Sequence, residues 1–183
     1  MKKILFCAFA CSAFVACSNQ QPADEKSTTA TTTATETKPQ AAEFADAKYA
    51  DIGKKGLSAL SSGDIDAWMN DFADGAKYYW NAGDSLIGKA AIAAYWKTRR
   101  TTVIDSMSYK NDIWLPVRVN EPQQKVQSPG VWLLGWYQVQ AKYKNGKRMS
   151  QWIHTDYHFD TNDKIDQVIQ YIDRAPINAA LAK

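Results

Sequence analysis

The segment QWIHTDYHFDTNDKID, residues 151–166, places His154, Asp156, His158 and Asp160 at every second position, and its two histidines are the only ones in the chain. Imidazole and carboxylate are the side chains that bind divalent metals or exchange protons near neutral pH. On a strand, alternate side chains share a face, so these four would stand in one row. Residues four apart in such a row lie about 13 Å from each other. His154 and His158 therefore cannot hold one ion together. Either could do so with Asp156, but a third ligand would have to come from another segment. The spacing reads as a hydrogen-bonded polar face or as part of a dimer interface. No metal site and no catalytic residue is assigned from it.

The elements that must position this row follow from the hydrophobic pattern. Residues 44–60 carry Tyr49, Ile52 and Leu60 at helical spacing, and Ser61-Ser62-Gly63-Asp64 breaks the run. Asp64 suits the N-cap of a short second helix bearing Ile65, Trp68, Met69 and Phe72. KYYWN, residues 77–81, reads as a strand, and AGDS as a turn. A third helix follows Gly88, with Ile92, Tyr95 and Trp96 on its buried side. After Arg100 the period changes to two, and four strands are expected near 107–119, 131–143, 149–160 and 165–173. KNGK at 144–147 has the Asn-Gly pair of a type I′ hairpin, TNDK at 161–164 makes the next turn, and 120–130 is a loop. Helices first and an antiparallel meander afterwards define an α+β plan, with helices on one face of a curved sheet.

The ends of the chain carry a different message. Lys2 and Lys3 precede a short apolar run, residues 4–16, that is too brief to span a bilayer as a mature helix and reads as a secretory signal. Its end, Phe14-Val15-Ala16-Cys17, resembles a bacterial lipobox, with Phe14 where that pattern prefers Leu. The resemblance implies lipidation of Cys17, membrane attachment through that lipid, and a place in the bacterial cell envelope, at the outer membrane. Residues 17–42 contain STTATTTATETKPQ and lack the apolar bulk to offset ordering entropy, so they read as a tether. The folded domain is assigned to 43–183. All three cysteines, Cys7, Cys11 and Cys17, precede it. A disulfide, a thiol nucleophile or a Cys-ligated zinc is thereby excluded from the domain. It carries 18 basic and 16 acidic residues, dispersed, which is no nucleic-acid footprint. Its one basic cluster, Lys97, Arg99 and Arg100, reads as a solvated helix end.

Residues 60–96, LSSGDIDAWMNDFADGAKYYWNAGDSLIGKAAIAAYW, resemble the nuclear-transport-factor-2-like superfamily, particularly its SnoaL-like branch. The shared elements are a Gly-Asp after the first helix, Phe-Ala-Asp-x-Ala before the first strand, and Gly-Lys-x-x-Ile opening the third helix. DKIDQVIQYID, 163–173, is similar to that family's closing strand. The resemblance implies a cone-shaped domain, its bent antiparallel sheet packed on the concave side by the N-terminal helices, enclosing a pocket and often dimeric through the sheet. It places Tyr78, Trp80, Trp96, Trp136, Thr155, Tyr157 and Gln170 around that pocket. Ketosteroid isomerases of this fold use an Asp at the position of Trp80, a Tyr near Gly56 and a second Asp at Thr155. Epoxide hydrolases of this fold use a carboxylate at Gln170. All four are absent here, and Asp112 and Asp173 are the carboxylates left without a placement.

A two-residue turn at Asn145-Gly146 would set Tyr137 opposite His154, and one at Asn162-Asp163 would set His154 opposite Tyr171. Trp132, Leu134 and Trp136 would then share a face with Ile153, Thr155, Tyr157, Val168 and Gln170. That face lacks ionised groups and should meet the helices, leaving both histidines on the convex back. Two functions follow as expectations. One is an envelope lipoprotein that binds a small apolar ligand or a partner without catalysis or cofactor. The other is a hydrolase, isomerase or cyclase with an acid–base pair not yet identified.

Overall fold

A computed structural model describes residues 40–125 and 127–182. The signal segment, Cys17 and all but the end of the tether lie outside the described residues. Eleven elements follow in the order β1 (Ala42–Phe44), α1 (Lys48–Ser62), α2 (Ile65–Met69), β2 (Phe72–Trp80), β3 (Ser85–Ile87), α3 (Lys89–Thr102), β4 (Ile104–Val119), β5 (Gly130–Tyr143), β6 (Arg148–Phe159), β7 (Ile165–Tyr171) and α4 (Ala175–Leu181). The seven strands make one curled sheet in the order β1-β4-β5-β6-β7-β2-β3. Every pair is antiparallel except β2 with β7, which run parallel. β1 takes Ala42 from the expected tether and Phe44 from the expected first helix, since both pair with the end of β4.

Local signals set the helix boundaries. Gly63, at φ +85°, ends α1 by donating its N–H to the Ala59 and Leu60 carbonyls. Asp64 then caps α2 by accepting from Ala67 N at 2.9 Å, as its position in the sequence indicates. The basic cluster on α3 is not simply solvated. Lys97 pairs with Asp66 at 2.6 Å, and Arg100 donates to the Ser61 carbonyl at the C-terminus of α1. The Arg99 guanidinium lies over the Tyr95 ring, 5.6 Å from its centroid.

The helices pack on the concave side. There the Trp114 indole of β4 fills the space between α1 and β5. A Cβ added to Gly53 would stand 2.7 Å from Trp114 Cζ3, and one added to Gly135 would stand 2.4 Å from the same atom. Tyr137 and Tyr157 pack against this indole from the sheet. The start of α1 is tied to the β6–β7 turn: Lys48 and Tyr49 both contact the Asp163 carboxylate at 2.6 Å. The Lys48 hydrogen bond, followed by that of Tyr49, holds the Asp163 carboxyl below its usual range.

The β5–β6 hairpin departs from the expected register by one residue. Tyr143 N donates to Lys147 O and Gly146 N to Tyr143 O, so the loop has three residues, Lys144-Asn145-Gly146, with Gly146 at φ +85°. Asn145 lacks the positive φ that a type I′ turn requires, and a type I turn with a left-handed third residue forms instead. His154 therefore pairs with Trp136, and Ile153 with Tyr137. One residue of slip turns every β5 side chain to the other face. The β6–β7 loop is also three residues long, Thr161–Asp163, with Asp163 at φ 57°. A bulge between His158 and Phe159 compensates there, so His154 does face Tyr171 and Tyr157 does face Val168.

Candidate functional site

Both histidines project from the convex back, as the alternation along β6 requires. His154 Nδ1 donates to the Gly135 carbonyl at 3.1 Å, and its Nε2 lies 2.9 Å from Asp156 Oδ1. Its ring is stacked between Trp136, at 4.5 Å and 22°, and Tyr171, at 5.5 Å and 26°. Burial pushes the Asp156 carboxyl up, and the neighbouring His154 opposes that shift. His158 Nδ1 lies 2.5 Å from Asp166 Oδ1, and its Nε2 donates to the Pro129 carbonyl at 3.0 Å. Three of the four ring nitrogens are thus hydrogen-bonded to oxygens of this chain, while His154 Nε2 stands beside Asp156 Oδ1 without hydrogen-bond geometry. His158 presents no free nitrogen to a substrate or a metal, and His154 Nε2 faces the carboxylate of its own strand.

The concave interior has a different chemistry. Trp80 Nε1 donates to Gln170 Oε1 at 3.0 Å, Gln170 Nε2 donates to Thr155 Oγ1 at 3.3 Å, and Thr155 shares a 2.7 Å hydrogen bond with the Tyr137 hydroxyl. These side chains come from β2, β7, β6 and β5, so the curl of the sheet assembles the chain of bonds. Burial raises the Tyr78, Tyr109, Tyr137 and Tyr157 phenols above their ordinary range, which keeps them protonated. The network contains no carboxylate and no imidazole. Trp80, Thr155 and Gln170, the three sheet positions at which the resemblance implies catalytic carboxylates, are joined in one neutral, internally satisfied network.

Open space adjoins this network. A chamber of about 240 Å³ lies between the end of β7, α3 and α4, walled by Trp80, Tyr95, Trp96, Arg99, Gln170 and Ile177, among others. A smaller chamber of about 50 Å³ shares Trp96, Arg99, Gln170, Ile172 and Ile177 and adds Met107, Val139 and Ile153. At the rim, Arg174 donates to both Asp84 oxygens, at 2.6 and 2.7 Å, and lies 5.9 Å from the Trp80 ring centroid. Arg174 holds the Asp84 carboxyl below its usual range. A larger depression of about 370 Å³, at Ser106, Gln140, Arg148 and Ser150, lies over the far ends of β4, β5 and β6. No aromatic side chain and no residue of the neutral network borders it.

Of the residues expected to line a pocket, Trp80, Trp96 and Gln170 border the chambers. Tyr78, Thr155 and Tyr157 are buried in the packing below them. Trp136 is on the opposite face, against His154, because of the β5 register; Tyr137 takes the inward place. Asp112 accepts from Trp114 Nε1 at 2.6 Å, and Asp173 accepts from Ala175 N at the start of α4. Neither borders the two chambers. The sequence reading missed α4 and with it Ile177, Asn178 and Leu181, which close one side of the larger chamber. The signals were there: Asp173 before Ala175, Pro176 in the first turn, and Ile177 and Leu181 at i, i+4.

No protein-family model matches the sequence, and no curated protein does. Solved structures do match by fold. A putative polyketide cyclase from Xanthomonas campestris superposes with a TM-score of 0.58 at 16% identity, over 73% of this chain and 96% of its own. A nuclear-transport-factor-2-like protein of unknown function from Burkholderia pseudomallei gives 0.57 at 13% identity, over 73% and 97%. An epoxide hydrolase similar to limonene-epoxide hydrolase, from Mycobacterium tuberculosis, gives 0.51 at 14% identity, over 72% and 86%. The chain thus has the nuclear-transport-factor-2-like fold, in agreement with the sequence resemblance and with the expected α+β cone.

Proposed function

We propose that the domain binds a small, largely apolar molecule in the chamber between α3, β7 and α4, and performs no acid–base chemistry there. The neutral Trp80–Gln170–Thr155–Tyr137 network carries this reading. The proteins of similar fold include a cyclase and an epoxide hydrolase by name, but a reaction of that kind needs a proton acceptor beside the substrate. In this chain the interior positions offer an amide, a threonine hydroxyl and protonated phenols. The aromatic walls supply contact area suited to rings or short alkyl chains. Titrating the full chain with small hydrophobic alcohols and arenes should change its tryptophan fluorescence saturably, because Trp80 and Trp96 wall the chamber. A flat response across such a panel would refute binding.

The convex back supports a second part of the proposal, a homodimer through the sheet. Phe44, Ile113, Trp152 and Tyr171 are 79%, 58%, 53% and 47% exposed, and paired positions carry them onto the face that holds the histidines. Exposed apolar side chains gathered on one sheet face mark a candidate protein–protein contact. Sedimentation should report a dimer that Trp152→Glu converts to monomer without lowering the helix and strand content; a monomeric wild type refutes it. The lipobox-like end of the signal segment supports anchoring at the cell envelope through Cys17, on the outer membrane. Labelled palmitate fed to expressing bacteria should enter the wild-type chain and not Cys17→Ser; equal labelling of both rejects the anchor.

A further inference from the structure

The walls of the α3–α4 chamber are unbalanced in charge and in hydrogen-bonding character. Trp96 and Arg99 lie three residues apart on one face of α3, and both border the larger and the smaller chamber. The Trp96 Nε1–H is shut off from solvent and has no acceptor. An indole nitrogen can only donate, and buried donors normally have partners. Arg99 has no carboxylate within ion-pair distance among the described residues, whereas Arg174 at the rim is neutralised by both oxygens of Asp84. On the same wall, Gln170 Oε1 already receives the Trp80 N–H. The stacking of Arg99 on Tyr95 fixes the guanidinium beside the chamber and leaves its in-plane N–H groups available.

We infer that the ligand is an organic anion, a small carboxylate with an apolar body. Its carboxylate sits against Arg99 and reaches the Trp96 N–H, which is closed off in the unliganded packing, through a rotation of the Trp96 ring toward the chamber; its tail enters the smaller chamber among Met107, Val139 and Ile153. This rests on the pocket-binding reading above and adds the chemical class. Three features agree with it. A carboxylate accepts from both donors at once and supplies the missing negative charge. The residues lining the inner chamber beyond Arg99 are mostly aliphatic and aromatic, fit for a tail and not for a second charge. The space, about 240 Å³ with a further 50 Å³, limits the body to a single ring or a short chain.

The test compares acids with the alcohols that replace their carboxylate: octanoate against 1-octanol and phenylacetate against 2-phenylethanol, titrated into the full chain at low salt by calorimetry and tryptophan fluorescence. Each acid should bind about tenfold more tightly than its alcohol, the scale of one charge-assisted hydrogen bond. Arg99→Gln should remove that preference, bringing each acid to the affinity of its alcohol. Trp96→Phe, which keeps a ring and deletes the donor, should narrow the gap between each acid and its alcohol and provides the test if Arg99→Gln does not fold. Equal affinity for acid and alcohol in the wild type, or a preference that survives both substitutions, overturns the anionic class while leaving the pocket intact. Failure of all four compounds to bind the wild type overturns the pocket reading itself.

Discussion

Gly135→Ala should destabilise the domain by about 1–3 kcal/mol, the usual cost of forcing an added methyl into a packed interior. The new Cβ would be placed 2.4 Å from Trp114 Cζ3, and the indole cannot retreat, because Gly53 of α1 closes on its other side. Backbone strain is not involved, since Gly135 does not adopt a positive φ. The cost is therefore steric and belongs to the pair. Chemical denaturation of Gly135→Ala in the wild type and in a Trp114→Leu background measures it: the penalty should shrink in the smaller background. An unchanged penalty would show that the glycine serves something other than the indole. Together, the two glycines let the tryptophan fill the space between α1 and β5.

Gln170→Glu is the second large effect, and it depends on pH. A glutamate here keeps the Trp80 donor, but its charge is buried without a paired cation. The expected loss is about 3 kcal/mol at neutral pH. Burial raises the folded-state pKa of such a group above its unfolded value of about 4.3, with Arg99 on the same wall opposing part of the shift. The folded protein then holds the proton at pH values where the unfolded chain has released it. The penalty is small below the unfolded pKa, grows as pH rises toward the folded pKa, and is constant above it. Melting curves of the variant and the wild type should therefore converge near pH 4 and separate toward pH 8. A gap that is the same throughout would mean that position 170 is open to water and that the neutral network is not sealed.

Much of this was readable in the residues, and the failures have identifiable causes. Asp64 as a cap, Gly63 as a helix stop and the β6–β7 pairing follow from local chemistry. Asn145-Gly146 alone points to the wrong β5 register. The strand carried a better signal farther along. Val139, Ala141 and Tyr143 alternate with Gln138, Gln140 and Lys142, and that alternation puts the odd positions inside. Near Trp132, Leu134 and Trp136 the alternation vanishes, because the convex face is itself apolar there. Asn162-Asp163 also suggests a turn one residue too short, yet the expected pairing holds because one bulge cancels the difference. The parallel pairing of β2 with β7 left no local trace, since it joins segments about ninety residues apart. The chamber was only half legible: its aromatic floor could be named, whereas its α4 wall lay beyond the stretch covered by the resemblance.

That parallel seam dictates the order in which the molecule can be finished. β2 is made early, but its inner edge gains a neighbour only when residues 165–171, close to the carboxyl end, arrive. Contacts of such long sequence separation are slow to form. On a ribosome, the β7-facing edge of β2 must wait with its amides unpaired until translation is nearly complete. The sheet of such a chain closes last, at its parallel seam.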